Sequence, residues 1–297
     1  VRYRNLAGFL VLAVLWGASY PAIKAGLAGF PPLLFAALRF DAIGVLVLGY
    51  AALRGRWRPR GRDWLGVLLG GTLVIAVHNA LLFLGQGYVT SAVSAVVLSS
   101  IPIVSAGFSR PLLPSESLTP VELVGVLLGL AGVVVVARPD PDALAATPPV
   151  GVGLLLGSAA AFALGGVLTR RVRTDLPVAA MQAWMMLGGG LLLHAASLLS
   201  GEPQAVEWSH SVALAFVYLV PFAGAVGYLL YFALLDALGP TEINLVGYVS
   251  PLVAALVGWA LLDERLAPAT AVGFAVIFAG FLLVKRDAIR AEVLGLT

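Results

Sequence analysis

Apolar residues run through this chain in blocks of about twenty, the length a helix needs to cross hydrocarbon, and short polar segments separate the blocks. Ten blocks are readable, at roughly 6–27, 32–53, 64–86, 89–110, 120–137, 150–169, 177–199, 211–235, 243–262 and 268–285. The pattern also repeats. Ser115–Val136 reads SESLTPVELVGVLLGLAGVVVV, and Asp263–Val284, 148 positions later, reads DERLAPATAVGFAVIFAGFLLV. Eight of these 22 positions are identical, among them the pairs Glu116/Glu264, Pro120/Pro268, Gly125/Gly273 and Gly132/Gly280. With a one-residue slip the match continues upstream, where Pro102 precedes Glu116 as Pro251 precedes Glu264. The chain therefore divides into two units of five predicted helices each, residues 1–140 and 148–297.

Composition fixes the solvent. Hydrophobic residues make up 60% of the chain and charged residues 11%, with a mean hydropathy of +1.00, whereas a soluble domain carries about 25% charged residues. The expected class is an all-α integral membrane protein. There is no cysteine, so disulfides and thiolate metal sites are excluded. No His-Glu-x-x-His motif and no span with grouped His and carboxylates is present, so neither a metal centre, a cofactor nor an enzyme active site is expected. The net charge of +3 does not imply a nucleic-acid partner, because the basic residues sit in short loops. Arg2 and Arg4 flank the first block as in a signal peptide, but the block is too long for one and other spans follow, so it is read as a retained helix.

Orientation follows from the arginines. With both termini cytoplasmic, the inner loops and tails hold 14 Lys and Arg residues, including the run Arg54, Arg56, Arg58, Arg60 and Arg62, against two outside, Arg138 and Arg265. Lys24 and Arg39 remain within spans. The positive-inside rule selects this topology in a cytoplasmic (inner) membrane. Five is odd, so the second unit must enter the bilayer upside down relative to the first. A duplicated, inverted apolar unit is a recurring plan of secondary transporters, which hold the solute between the related halves.

Ten spans as five plus five, with WGASYPAIK at 16–24, AALRF at 36–40 and a proline-bearing span leading to a Glu-containing loop in each half, resemble the drug/metabolite transporter superfamily, specifically its EamA-type members. The resemblance covers essentially the whole chain. Its pattern departs only before the fifth and tenth spans, where Ser115-Glu116 and Asp263-Glu264 replace the usual Gly-Glu. It implies a carrier with a cavity between two bundles, and export of small organic metabolites such as amino acids.

Polar groups placed in hydrocarbon are costly unless paired or facing a wet cavity, so they mark the candidate site. Trp16, Tyr20 and Lys24 fall at i, i+4 and i+8 on one face of the first span. Pro21 beside them removes an amide that the Gly17 carbonyl would use. Lys24 either lines the cavity or extends to the headgroups. Arg39 lies about 10 Å below the outer end of the second span at 1.5 Å per residue. Its guanidinium needs an anionic solute group or a structural acceptor. Asp41, two residues on, points to a different face.

His78 and Asn79 fall mid-span in the third helix. Asp41 and His78 are the ionisable groups placed to carry protons, His78 being alternatively a hydrogen-bonded strut. In the fourth and ninth spans Pro102 and Pro251 free the carbonyls of Leu98 and Gly247, with Ser99, Ser100, Asn244 and Tyr248 around them. Those prolines either line a cavity or bend packed helices whose serines satisfy the freed carbonyls. Trp184, Tyr228 and Tyr231 complete an amphipathic aromatic set, while Trp57, Trp64 and Trp208 read as interfacial anchors. His194 and His210 look incidental. The expected partners are a small-molecule solute, the lipid bilayer and protons, with no oligomeric state indicated. A passive facilitator or channel shares this topology, and inverted halves favour alternating access over an open pore.

Overall fold

The computed structural model describes residues 2–89, 94, 97–113, 118–137, 148–172, 174–250, 253 and 268–293, and its regular elements there are all helices. In chain order they are α1 (Arg2–Gly17), α2 (Ser19–Gly26), α3 (Pro32–Arg54), α4 (Asp63–Gln86), α5 (Ile101–Leu112) and α6 (Pro120–Ala137). After these come α7 (Pro149–Val172), α8 (Val178–Leu199), α9 (His210–Leu238), α10 (Pro240–Asn244) and α11 (Pro268–Val293). Five of them, α3, α4, α7, α8 and α9, are long and apolar enough to cross a membrane. Pro251, Glu116 and Glu264 lie outside the described residues, as do the side chains of Tyr20, Pro21 and Lys24.

The first apolar block is not one helix. It breaks at Ala18, between α1 and α2, where Pro21 has no amide for the Gly17 carbonyl and the Ser19 hydroxyl donates instead to the Trp16 carbonyl at 2.6 Å. The fourth block is interrupted as well, and α5 restarts at Ile101 with Pro102 in its first turn, where a missing amide costs nothing. Helix α3 opens on Pro31-Pro32, which supply no capping side chain. Its free amides at Leu33 and Leu34 donate to the two carboxylate oxygens of Glu202, at 3.0 and 3.1 Å. Helix α6 is closed by a reciprocal pair: the Thr119 amide donates to Glu122 Oε2 at 2.7 Å, and the Glu122 amide to Thr119 Oγ1 at 3.3 Å.

Two helices widen midway. Gly70–Val77 in α4 and Leu219–Val226 in α9 are π-helical stretches of eight residues, and their positions differ by 149, the spacing that separates Pro102 from Pro251. A second correspondence joins α6 to α11. A β-carbon on Gly125 would come 2.6 Å from the Gly280 carbonyl oxygen, and one on Gly132 would come 2.8 Å from that of Gly273. Gly125 corresponds to Gly273 in the duplication, and Gly132 to Gly280. The contact is thus exchanged between equivalent positions, as across a twofold axis, and the two helices run antiparallel.

Large apolar side chains cover the outside: Leu53 and Leu199 are each 89% exposed and Leu191 is 70% exposed. Such a surface is suited to lipid. One end of the bundle carries Phe30, Glu202 and Trp208. The other, here the arginine end, carries Arg54 to Arg62 and Arg170.

Candidate functional site

A cavity of about 130 Å³ lies near mid-bundle, bounded by the α1–α2 break, α3, the turns of α4 just past its widened part, the widened part of α9, α7, and residues 98–101 and 244–250. That volume holds several waters, or a small organic molecule in their place. The widened turns build its polar wall. In α4 the Asn79 amide nitrogen donates to the Ile75 carbonyl at 2.8 Å and to that of Val74 at 3.4 Å. These bonds hold the Asn79 Oδ1 toward Arg39, whose Nη2 donates to it at 3.2 Å. In α9 the Ala223 carbonyl accepts from Trp16 Nε1 at 3.2 Å.

Arg39 is 7% exposed, its guanidinium packs 4.6 Å from the Phe40 ring centroid and 5.6 Å from that of Phe83, and its Nε has no hydrogen-bond partner among the described residues. Among the described residues it forms no ion pair. Aromatic rings surround the rest of the space: Trp16 stacks on Tyr231 with centroids 5.3 Å apart, meets Tyr228 edge-on at 5.3 Å, and contacts Phe162 at 6.3 Å. Such a concave site joins an apolar aromatic body to a cation that has no ion-pair partner among the described residues, a combination complementary to an apolar group beside an anionic one.

Toward the arginine end the cavity is floored by a polar chain across three helices. The Tyr231 hydroxyl donates to Asn244 Oδ1 at 3.4 Å, and Asn244 Nδ2 donates to Ser105 Oγ at 2.7 Å. Beyond that floor a cleft of about 460 Å³ opens between α7, α8 and α9, with the Arg170–Asp236 ion pair of 2.7 Å at its rim.

Of the residues singled out from sequence, Trp16, Arg39, His78, Asn79, Ser99 and Tyr228 line the cavity, and Tyr231 backs it through Trp16. His78 is also tied to α7, because Ser158 Oγ lies 2.8 Å from its Nδ1 and 2.9 Å from its carbonyl oxygen. Ser99 Oγ donates to the Gly247 carbonyl at 3.4 Å. Three others stand elsewhere. Trp184 lies at the arginine end, stacked on Trp57 and donating to its carbonyl at 2.8 Å. Tyr248 donates to the Val126 carbonyl at 2.9 Å, with its ring against Gly129 of α6. Asp41 faces away from the cavity and meets His194. Phe162 and Ser158 gave no signal in sequence, since both sit in an Ala- and Gly-rich helix without polar periodicity.

The sequence pattern of the EamA-like transporter family matches residues 5–138 and again 149–286. The chain belongs to this family. EamA-type relatives extend over almost its full length. It is 32% identical to YedA, an inner membrane transporter of Escherichia coli (strain K12), over 96% of this chain and 92% of that protein. It is 28% identical to the transporter YvbV of Bacillus subtilis (strain 168), over 98% and 94%, and 27% identical to the protein PecM of Dickeya dadantii, over 91% and 89%. A crystal structure that is 23% identical superposes with a TM-score of 0.80 over 98% of this chain and all of the other, a likeness of fold. As an EamA-family chain it is a multi-pass membrane transporter and not an enzyme.

Proposed function

We propose that this EamA-family transporter moves small organic metabolites bearing a carboxylate and an apolar body, amino acids among them, across the inner membrane by alternating access. The observation that carries the reading is Arg39, a buried guanidinium at the cavity wall without an acidic partner among the described residues. A solute carboxylate supplies that counter-charge, and the Trp16, Tyr228 and Phe162 rings take the apolar part.

In this reading the moving units are two inverted five-helix repeats, 1–140 and 148–297, forming ten spans with both termini cytoplasmic. The antiparallel exchange of glycines between α6 and α11 and the matched π-helical stretches in α4 and α9 support it. The arginine end is then the cytoplasmic one, and the Tyr231–Asn244–Ser105 chain parts the cavity from a cytoplasmic cleft. Export follows the family resemblance, and proton exchange follows from Asp41 and His78 within the spans.

Counterflow tests it. Purified protein in proteoliposomes preloaded with unlabelled amino acids should transiently accumulate the labelled ones, because a carrier exchanges solute across the bilayer whereas a pore does not. Equilibration without overshoot makes the protein a channel, and no uptake of any of the twenty overturns the amino-acid assignment.

A further inference from the structure

Outside the cavity, the seam between α3 and α8 holds a second pair of ionisable groups. His194 Nε2 lies 2.7 Å from Asp41 Oδ2, and the side chains are 30% and 36% exposed. The seam is shaped for this pair: Gly190, one turn before His194 on α8, leaves the space that the Asp41 carboxylate fills, and a β-carbon there would strike Oδ1. Apolar side chains flank it, with Val45 65%, Leu191 70% and Leu198 64% exposed. The pair thus sits at the lipid-facing edge of two spans, about 14 Å along α3 from Pro32 at 1.5 Å per residue.

We infer that Asp41 and His194 form a proton-binding site, separate from the solute cavity, that links the binding of one proton to the seating of α3 against α8. Its charge arithmetic requires the linkage. With one proton added to a neutral imidazole and a carboxylate, the pair has no net charge and tolerates an apolar edge. Without that proton it carries one negative charge, which hydrocarbon strongly disfavours. Release of the proton therefore goes with an arrangement in which water reaches the seam, and uptake with the closed seam seen here. Helix α3 transmits the change, because Arg39 stands two residues from Asp41 on the face that lines the cavity.

Among the described residues, no other charge within the seam takes over this role. Besides the pair itself, the described charged and titratable groups on α3, α8 and the elements packed around them are Arg39, Tyr50, Arg54, Asp63, His78, Tyr218, Tyr228, Tyr231 and Asp236, with Glu202 just beyond α8 and His210 exposed at the start of α9. Arg39, His78 and Tyr228 line the cavity, and Tyr231 is bonded to Asn244. Tyr218 donates to the Leu15 carbonyl. Asp63 pairs with Arg56 and Asp236 with Arg170, while Arg54 packs on Tyr50. Glu202 is taken up by the α3 amides and the Ser197 hydroxyl.

This inference rests on the transport reading for its consequence but not for its test. The chain is free of cysteine, so a single Ile23→Cys reports access to the cavity wall, and a single Ala205→Cys in an exposed loop corrects for the pH dependence of the thiol itself. Labelling by a small methanethiosulfonate is measured in proteoliposomes from about pH 5 to pH 9, the range a histidine samples. The corrected rate at position 23 should change several-fold with pH in the parent background. It should be flat in Asp41→Asn and in His194→Gln, and no flatter in the double variant, while His210→Gln keeps the parent profile. A pH profile that survives in His194→Gln, or a parent profile that is flat, overturns the site. Counterflow of labelled amino acids in vesicles of the cysteine-free parent separates the two claims: its absence there, with an intact, pair-dependent labelling profile in the reporter vesicles, defeats the cargo reading and leaves the proton site standing.

Discussion

A guanidinium held at 7% exposure, with Asn79 its one side-chain acceptor among the described residues and two rings packed against it, is costly to bury unless something anionic visits. Arg39→Lys keeps the charge and loses the planar fork, so affinity for a carboxylated ligand should fall about tenfold, roughly 1.4 kcal/mol, with less change for its amide. Thermal-shift titration with an amino acid and the corresponding amino-acid amide checks this; equal weakening together with lower stability of the unliganded protein would make Arg39 a brace instead. The position of Arg39 is legible in sequence because a fixed charge deep in an apolar block has few uses. Its setting is not. Asn79 points at it only because the π-helical turns of α4 leave carbonyls for the Asn79 amide to hold, and GGTLVIAV reads as ordinary apolar helix. His194 looks incidental in sequence for a similar reason: its partner Asp41 lies 153 positions away and is brought near only by the packing of α3 on α8.

At the level of helices, the sequence marks stops and starts better than partners. Thr119 and Glu122 form a capping box at the start of α6, and Thr119→Ala should cost about 0.5–2 kcal/mol, seen as a lower Tm for the purified protein. The break at Ala18 is hidden inside one long apolar block, although Pro21 announces a lost hydrogen bond. Aromatic placement is legible by helix but not by neighbour: the sequence puts Trp184 beside the solute, and it stacks instead on Trp57, because the 55–62 loop folds back over the end of α8. Glycines divide in the same way. Gly107 of α5 and Gly153 of α7 have nothing within 4 Å of the point where a β-carbon would stand, whereas Gly125 and Gly132 face backbone. Gly107→Ala should therefore be neutral or gain about 0.5–1 kcal/mol from helix propensity, while Gly132→Leu should lose about 1–3 kcal/mol by overpacking. Thermal unfolding of the two variants side by side decides it; similar midpoints would mean that the α6–α11 contact is loose.

For the molecule as a whole, the arginine count is the strongest guide to orientation, and it makes a direct prediction. Single cysteines at Gln204 and Arg58 occupy exposed loops at opposite ends of the bundle. A membrane-impermeant reagent applied to intact cells should label the first and not the second, and labelling at position 58 would reverse the topology. The duplication is equally plain in sequence, yet how the copies meet becomes visible only where Gly125 faces Gly280 and Gly132 faces Gly273. These two contacts are seven residues apart on each helix, about 10 Å at 1.5 Å per residue. Ile277 and Val284 seat against the glycines, so sliding either helix along its length would unseat both side chains at once. Tilting about the midpoint is different: one contact tightens as the other slackens, with no register lost. The joint resists slippage and permits rocking, like the fulcrum of a balance set between two arms of common design.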